Sequence, residues 1–218
     1  MTEILTQTRF PTDTPFDYQM AMDRLSGYRA PRDKLRQLIT RGQIIQVRRG
    51  LYVAGPVETR GERIDRFVVA PLIYGPSCIS LETALTYHSM IPERVESVTS
   101  VSLKRARRFE TPLGRYEYFS VPETVFAIGV ERHAALGGAY FIASPERALC
   151  DRVARNGSII SQKQIPDLLF ADLRIDDQSI ASLNVELIQE IAEAYRRRPV
   201  IALARWLSKK SNSSASRK

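Results

Sequence analysis

The chain is poor in the residues that metal and redox chemistry recruit. Its 218 residues include two cysteines, two histidines and one tryptophan. Cys78 and Cys150 form no CxxC pair and no zinc spacing, and His88 and His133 are the only imidazoles. No metal and no cofactor is therefore expected, and the cysteines read as small buried hydrophobes. No disulfide framework is implied, which suits a reducing cytoplasm. The N-terminus lacks a charged region followed by an apolar run, and no apolar stretch approaches the length of a membrane span, so neither a signal peptide nor a membrane partner is expected. The glycine-rich phosphate loops, the GxSxG elbow and the HExxH pair are all missing. Glu146 and Asp151 stand five apart on one expected helix and would point to different faces, which disfavours a hydrolytic pair. The reading is of a cytoplasmic protein that is not an enzyme.

Positive charge is abundant, and it is grouped. The formal net charge is +8. Residues 24–50 carry eight Lys/Arg against one Asp, residues 101–118 carry a further excess, and residues 196–218 contain no acid. Between the last two blocks the chain is net acidic. Such grouping points to a polyanionic partner. The hydrophobic share of 44% can bury a core without a staple.

A helix is expected from about Asp17 to Leu25. A second opens at Pro31, a good first-turn residue, and carries Leu35, Leu38 and Ile39 on one face before Gly42 stops it. Ile45 and Val47 alternate with Gln46 and Arg48; Arg49 and Gly50 then turn the chain into Leu51-Tyr52-Val53. Helix, turn, helix and small hairpin is the order of a winged helix-turn-helix. Beyond a Gly55-Pro56 linker come a helix over 62–74, another capped by Ser80, and strands over 98–103 and 115–121. Short strands are expected over 127–130 and 138–143. Ser144-Pro145-Glu146 opens a helix running to about Arg155. Helices are expected over 164–171 and 184–208, and a disordered basic tail over 209–218. The fold class is α+β: a winged helix over 1–55, then a larger mixed α/β domain over 62–208.

A helix in the major groove needs an apolar back and polar or basic residues facing bases. Arg29, Arg32, Lys34, Arg36 and Gln37 meet that need. Arg41, Arg48 and Arg49 suit phosphates, the last two from a wing. The run Lys104-Arg105-Ala106-Arg107-Arg108 reads equally as a polyanion contact or a solvated loop.

Several stretches resemble the AbiEi family of antitoxins from bacterial toxin–antitoxin systems. They include Tyr28-Arg29-Ala30-Pro31-Arg32-Asp33-Lys34-Leu35, Arg48-Arg49-Gly50-Leu51-Tyr52-Val53 and Tyr74-Gly75-Pro76-Ser77-Cys78-Ile79-Ser80-Leu81-Glu82. Ile91-Pro92-Glu93-Arg94-Val95, Phe109-Glu110-Thr111-Pro112-Leu113-Gly114 and Ala143-Ser144-Pro145-Glu146-Arg147-Ala148-Leu149-Cys150-Asp151 continue the match, which spans about residues 17–155 in order. Arg147 stands where that pattern has Lys, and His88 where an aromatic is common. The resemblance implies a winged helix that represses its own operon by binding promoter repeats in double-stranded DNA. It also implies a second domain that neutralises a nucleotidyltransferase-like toxin, directly or indirectly, as part of phage defence. By position, Glu82, Arg94, Arg105, Arg107, Arg108, Glu146 and Asp151 become antitoxin-domain candidates, although Glu82 and Glu146 equally suit helix caps. The alternatives are a stand-alone winged-helix regulator and a metal-dependent nucleic-acid enzyme.

Overall fold

The computed structural model describes residues 10–56, 58–59, 64–93, 95–157 and 161–215. It is a mixed α/β chain with two sheets and two compact units. The first unit holds the chain up to Gly75 together with Phe109–Arg115 and Ala134–Tyr140. The second holds Pro76–Arg108, Tyr116–His133 and the chain from Phe141 onwards.

In the first unit, β1 (Phe16–Asp17) leads into α1 (Tyr18–Arg24), where the Asp17 carboxylate accepts from the Met20 N–H at 2.8 Å and caps the helix. The second helix, α2 (Pro31–Thr40), begins at Pro31 as expected. Gly42 follows at φ +68, a conformation open to glycine without cost. The hairpin β2 (Ile44–Arg48) and β3 (Leu51–Ala54) turns at Gly50 (φ +81), and β1 pairs antiparallel with β3 to give the order β1-β3-β2. A register shift between Gln46 and Arg48 breaks the simple alternation, so both Ile44 and Val47 are buried. Phe16, Ala21, Leu25, Leu35, Leu38, Ile44 and Tyr52 form the core of this region, with Phe10 and Ile39 packed on it. Next comes α3 (Arg66–Ile73), capped by Asp65; it begins later than the expected residue 62, and residues 60–63 lie outside the described set.

The larger sheet has the order β6-β7-β5-β4-β9-β8. Its strands are β4 (Ser77–Ile79), β5 (Val98–Ser102), β6 (Arg107–Thr111), β7 (Gly114–Ser120), β8 (Val130–Ala135) and β9 (Gly138–Ala143). It is mixed: β4 runs antiparallel to β5 and parallel to β9, and β5 runs parallel to β7. In the second unit, α4 (Leu81–Tyr87) and α6 (Pro145–Ala154) pack on each other, and α8 (Val185–Tyr195) and α9 (Arg198–Ala215) pack on α6. Two short helices, α5 (Glu123–Phe126) and α7 (Asp177–Ala181), complete the set.

Several expectations are corrected. Of the strand expected over 127–130 only Val130 is strand: α5 ends at Phe126, and β8 begins at Val130 and runs on to Ala135. The segment expected to be helical over 164–171 is so, but as a short 3-10 turn, Gln162–Gln164, followed by a π-helix, Asp167–Asp172. The single helix expected over 184–208 is two, broken at Arg196, whose φ of +53 is left-handed. The tail expected to be disordered from 209 is helical to Ala215. Lys210 is held there by Asp177 at 2.5 Å and lies against the rings of Phe170 and Trp206.

Candidate nucleic-acid interface and the buried ion cluster

Helix α2 separates its two faces cleanly. Leu35 and Leu38 are buried, while Arg32, Asp33, Arg36, Gln37 and Thr40 are exposed. Arg36 reaches Asp33 at 3.2 Å across one turn. Nζ of Lys34 lies over the Tyr28 ring, 5.0 Å from its centre. Arg29 precedes the helix in the open, and Arg41 is its exposed C-cap. The two hairpin arginines part company. Arg49 is exposed in the turn, whereas Nη1 of Arg48 donates to the Ile73 carbonyl and so ties the hairpin to the end of α3. The sequence set them side by side, but it carried no sign of that non-local acceptor.

In the second unit, two of the antitoxin-domain candidates sit inside the protein. Asp151 is buried and accepts three bonds: Ser80 Oγ at 2.5 Å, Tyr195 Oη at 2.5 Å and Arg147 Nε at 2.9 Å. Arg147, also fully buried, sends Nη1 to the carbonyls of Val125, Phe126 and Ile128, thereby satisfying the open end of α5. Burial works against the Arg147 charge, but the adjacent Asp151 outweighs it and the guanidinium is held more firmly protonated than usual. Burial and the Asp151 carboxylate raise the Tyr195 phenol well above its ordinary value. Burial pushes the Cys78 thiol up to about 12, and Cys150 is also raised. Both thiols are free and buried, as small hydrophobes would be.

Glu146 accepts from Ser144 Oγ at 2.8 Å and from the Asn184 N–H at 3.0 Å, so its carboxylate joins two helix starts. Ser144 caps α6 as expected, accepting from the Arg147 N–H. Ser80 stands at the N-cap of α4, but its hydroxyl goes to Asp151 instead of capping the helix. Glu82 lies 2.8 Å from Arg152. Arg105, Arg107 and Arg108 are exposed, with Arg108 on Glu117 at 3.2 Å. Arg94 lies outside the described residues. Sequence reasoning missed Tyr195, whose link to Asp151 spans 44 residues, and the surface chain in which the Tyr87 hydroxyl meets His133 Nδ1 at 3.1 Å and His133 Nε2 meets Glu131 at 3.1 Å. No group of three or more His, Cys, Asp or Glu suited to a metal occurs among the described residues, and no described helix is long and apolar enough to cross a membrane.

No family model matches the chain, and no curated protein matches it. Among solved structures, the RV2827C protein from Mycobacterium tuberculosis is similar in fold, with a TM-score of 0.56 at 14% identity. The match covers 94% of this chain and 74% of that one.

Proposed function

We propose that residues 16–54 form a winged helix-turn-helix that binds duplex DNA, with α2 as the recognition helix. On this reading the chain is an autorepressing antitoxin of the AbiEi type. The observation that carries the DNA half is the split of α2: leucines inward, and Arg32, Arg36, Gln37 and Arg41 outward, followed at once by a hairpin with Arg49 in its turn. A helix so anchored can enter a major groove, where an arginine reads guanine and a glutamine reads adenine. Arg36 pairs with Asp33 on the exposed face, and the exposed Arg41 and Arg49 suit phosphates. The antitoxin half rests on the resemblance alone.

The test is binding to a labelled duplex spanning the region upstream of its own gene. Replacing Arg32 and Arg36 by Ala should weaken binding by at least about tenfold, since each base contact contributes roughly 1–3 kcal/mol. The thermal midpoint should stay where it was, both side chains being exposed. Unchanged affinity in the double variant would reject the assignment. Co-expression with an adjacent nucleotidyltransferase-like reading frame tests the antitoxin half separately: the chain should restore growth.

A further inference from the structure

The run Lys104 to Arg108 is exposed throughout and leads into β6, an outermost strand of the larger sheet. The duplex reading of α2 does not use it. At the end of that run Arg108 reaches across to β7 and meets Glu117 at 3.2 Å. Glu117 and Phe119 are two apart in β7 and share a face, so Arg108 and Phe119 lie on the same side of the sheet. Over Phe119 sits Arg155, the residue that ends α6, with its central guanidinium carbon 3.3 Å from the ring centre. At that separation the fork has to lie flat on the ring, because an edge-on fork would drive a nitrogen into it. Arg155 is nevertheless exposed, and its side chain makes no hydrogen bond or ion pair among the described residues. Nearly one turn back, Arg152 pairs with Glu82 of α4 at 2.8 Å. Partial burial lowers the Arg155 pKa; Glu82 and Glu117 oppose that and Arg152 adds to it, so the four charges stand within reach of one another. All of these residues belong to the second unit.

An exposed basic tract beside a guanidinium held flat on a ring combines the two things a single strand needs. Cations meet its phosphates, and an unpaired base stacks on the plane of an arginine or an aromatic side chain. A base stacked within a duplex has no face to offer such a plane. The carboxylates beside Arg155 discriminate further: they repel an acidic peptide, whereas a base carries N–H groups that a carboxylate accepts. We propose that Arg155, backed by Phe119, is the stacking platform of a single-stranded nucleic-acid site, with Arg108 and the Lys104-Arg105 turn meeting the phosphates. The site lies in the second unit and goes beyond the duplex reading of α2, so either can fail without the other.

The full chain is titrated into a fluorescein-labelled uridylate twelve-mer and its deoxy counterpart, and anisotropy is read over a range of salt. Both should bind, within about threefold of each other, since no contact to a 2′-hydroxyl is assigned. Arg155→Lys keeps the charge and removes the plane. It should weaken both complexes by at least about fivefold, the lower end of what one stacked base contributes, with the salt slope unchanged. Arg108→Gln keeps the platform and should lower the slope by about 0.7, the share of one phosphate on a single strand. Both positions are exposed, so the thermal midpoint should hold. The Arg32→Ala/Arg36→Ala double variant should bind the strands as the unaltered chain does. Four results overturn the proposal. The strands fail to bind, or Arg155→Lys binds them undiminished, in which case the cations only guard the sheet edge. A labelled oligoglutamate binds more tightly than either strand, which assigns the patch to an acidic protein. Strand binding disappears in the α2 double variant, which assigns it to the first unit.

Discussion

Helices α2 and α6 are built on the same plan and put it to opposite uses. Each has ten residues, opens on proline and carries an Arg–Asp pair at helical spacing. In α2 the pair is Asp33 and Arg36, with side chains 66% and 81% exposed. In α6 it is Arg147 and Asp151, at 0% and 1%. An exposed pair contributes between nothing and about 1 kcal/mol, because water and salt screen it and both side chains lose freedom. A buried pair costs several kcal/mol per ion to desolvate, so it persists only where further bonds offset much of that cost. Asp151 has those bonds from Ser80 and Tyr195, and Nη1 of Arg147 has them from three carbonyls, while its buried Nη2 has no partner among the described residues. A guanidinium fork can serve several acceptors while bonding a carboxylate, whereas lysine offers one point charge. The same two residue types thus leave one helix free to meet a ligand and bind the other into the core.

Removing one partner from each pair should separate these roles most sharply. Asp151→Ala should destabilise the protein by about 3–5 kcal/mol, because it strands the Arg147 charge without water. Asp33→Ala should stay within about 0.5 kcal/mol, as surface changes do. Urea unfolding followed by far-ultraviolet circular dichroism reads both units, and Trp206, the single tryptophan and a residue of α9, reads the second unit directly. Similar losses in the two variants would erase the contrast.

Alkali should give the next largest effect. Cys78, Cys150 and Tyr195 all have folded-state values raised by burial, so their neutral forms are favoured in the native protein. Their contribution is fully present below the unfolded values, near 9 for the thiols. Above that, the unfolded chain releases protons that the native chain retains, and stability falls as pH rises. The Trp206-reported thermal midpoint should therefore decline from about pH 9 upwards, well above the ordinary histidine range. A flat profile to pH 10.5 would mean that these groups open to water without unfolding.

The smallest expected difference lies between adjacent arginines of the first unit. Arg49→Ala should reduce the salt-dependence slope of DNA binding by about 1, the signature of one lost phosphate contact. Arg48→Ala should leave that slope alone and lower stability by about 1 kcal/mol through the lost bond to Ile73. A reversed pattern would put Arg48 on the ligand side.

The legible parts of the fold were those written locally. Pro31, the leucine spacing and Gly42 mark α2 from end to end, and Ser144-Pro145 marks the start of α6. The stretch 127–130, expected as a strand, misled because a short apolar segment suits strand and helix alike. Its outcome depends on Arg147, far along the chain, which collects the Val125, Phe126 and Ile128 carbonyls. Strand β8 escaped notice because Glu131 and Arg132 are exposed and no apolar alternation marks a sheet edge. The Gly137-Gly138 pair, both at positive φ, was the available signal for that hairpin. Pro199, in the first turn of α9, likewise marked a new helix start that the three preceding arginines obscured. The exposed cations of α2 could be read from sequence, but the hub at Asp151 could not, since Ser80, Arg147 and Tyr195 reach it from three separate helices or their ends.

One seam in the first unit limits how the hairpin can vary. The Gly55 N–H bonds the Gln43 carbonyl at 2.7 Å, and a Cβ placed on Gly55 would sit 1.8 Å from the Gly42 oxygen. Backbone meets backbone there with no side chain between, so the hairpin leaves and rejoins helix α2 through a single welded joint. Side chains on the outer surfaces can be exchanged freely without disturbing that joint. Any residue larger than glycine at position 55 would prise the hairpin from the helix and re-aim every group it carries at once.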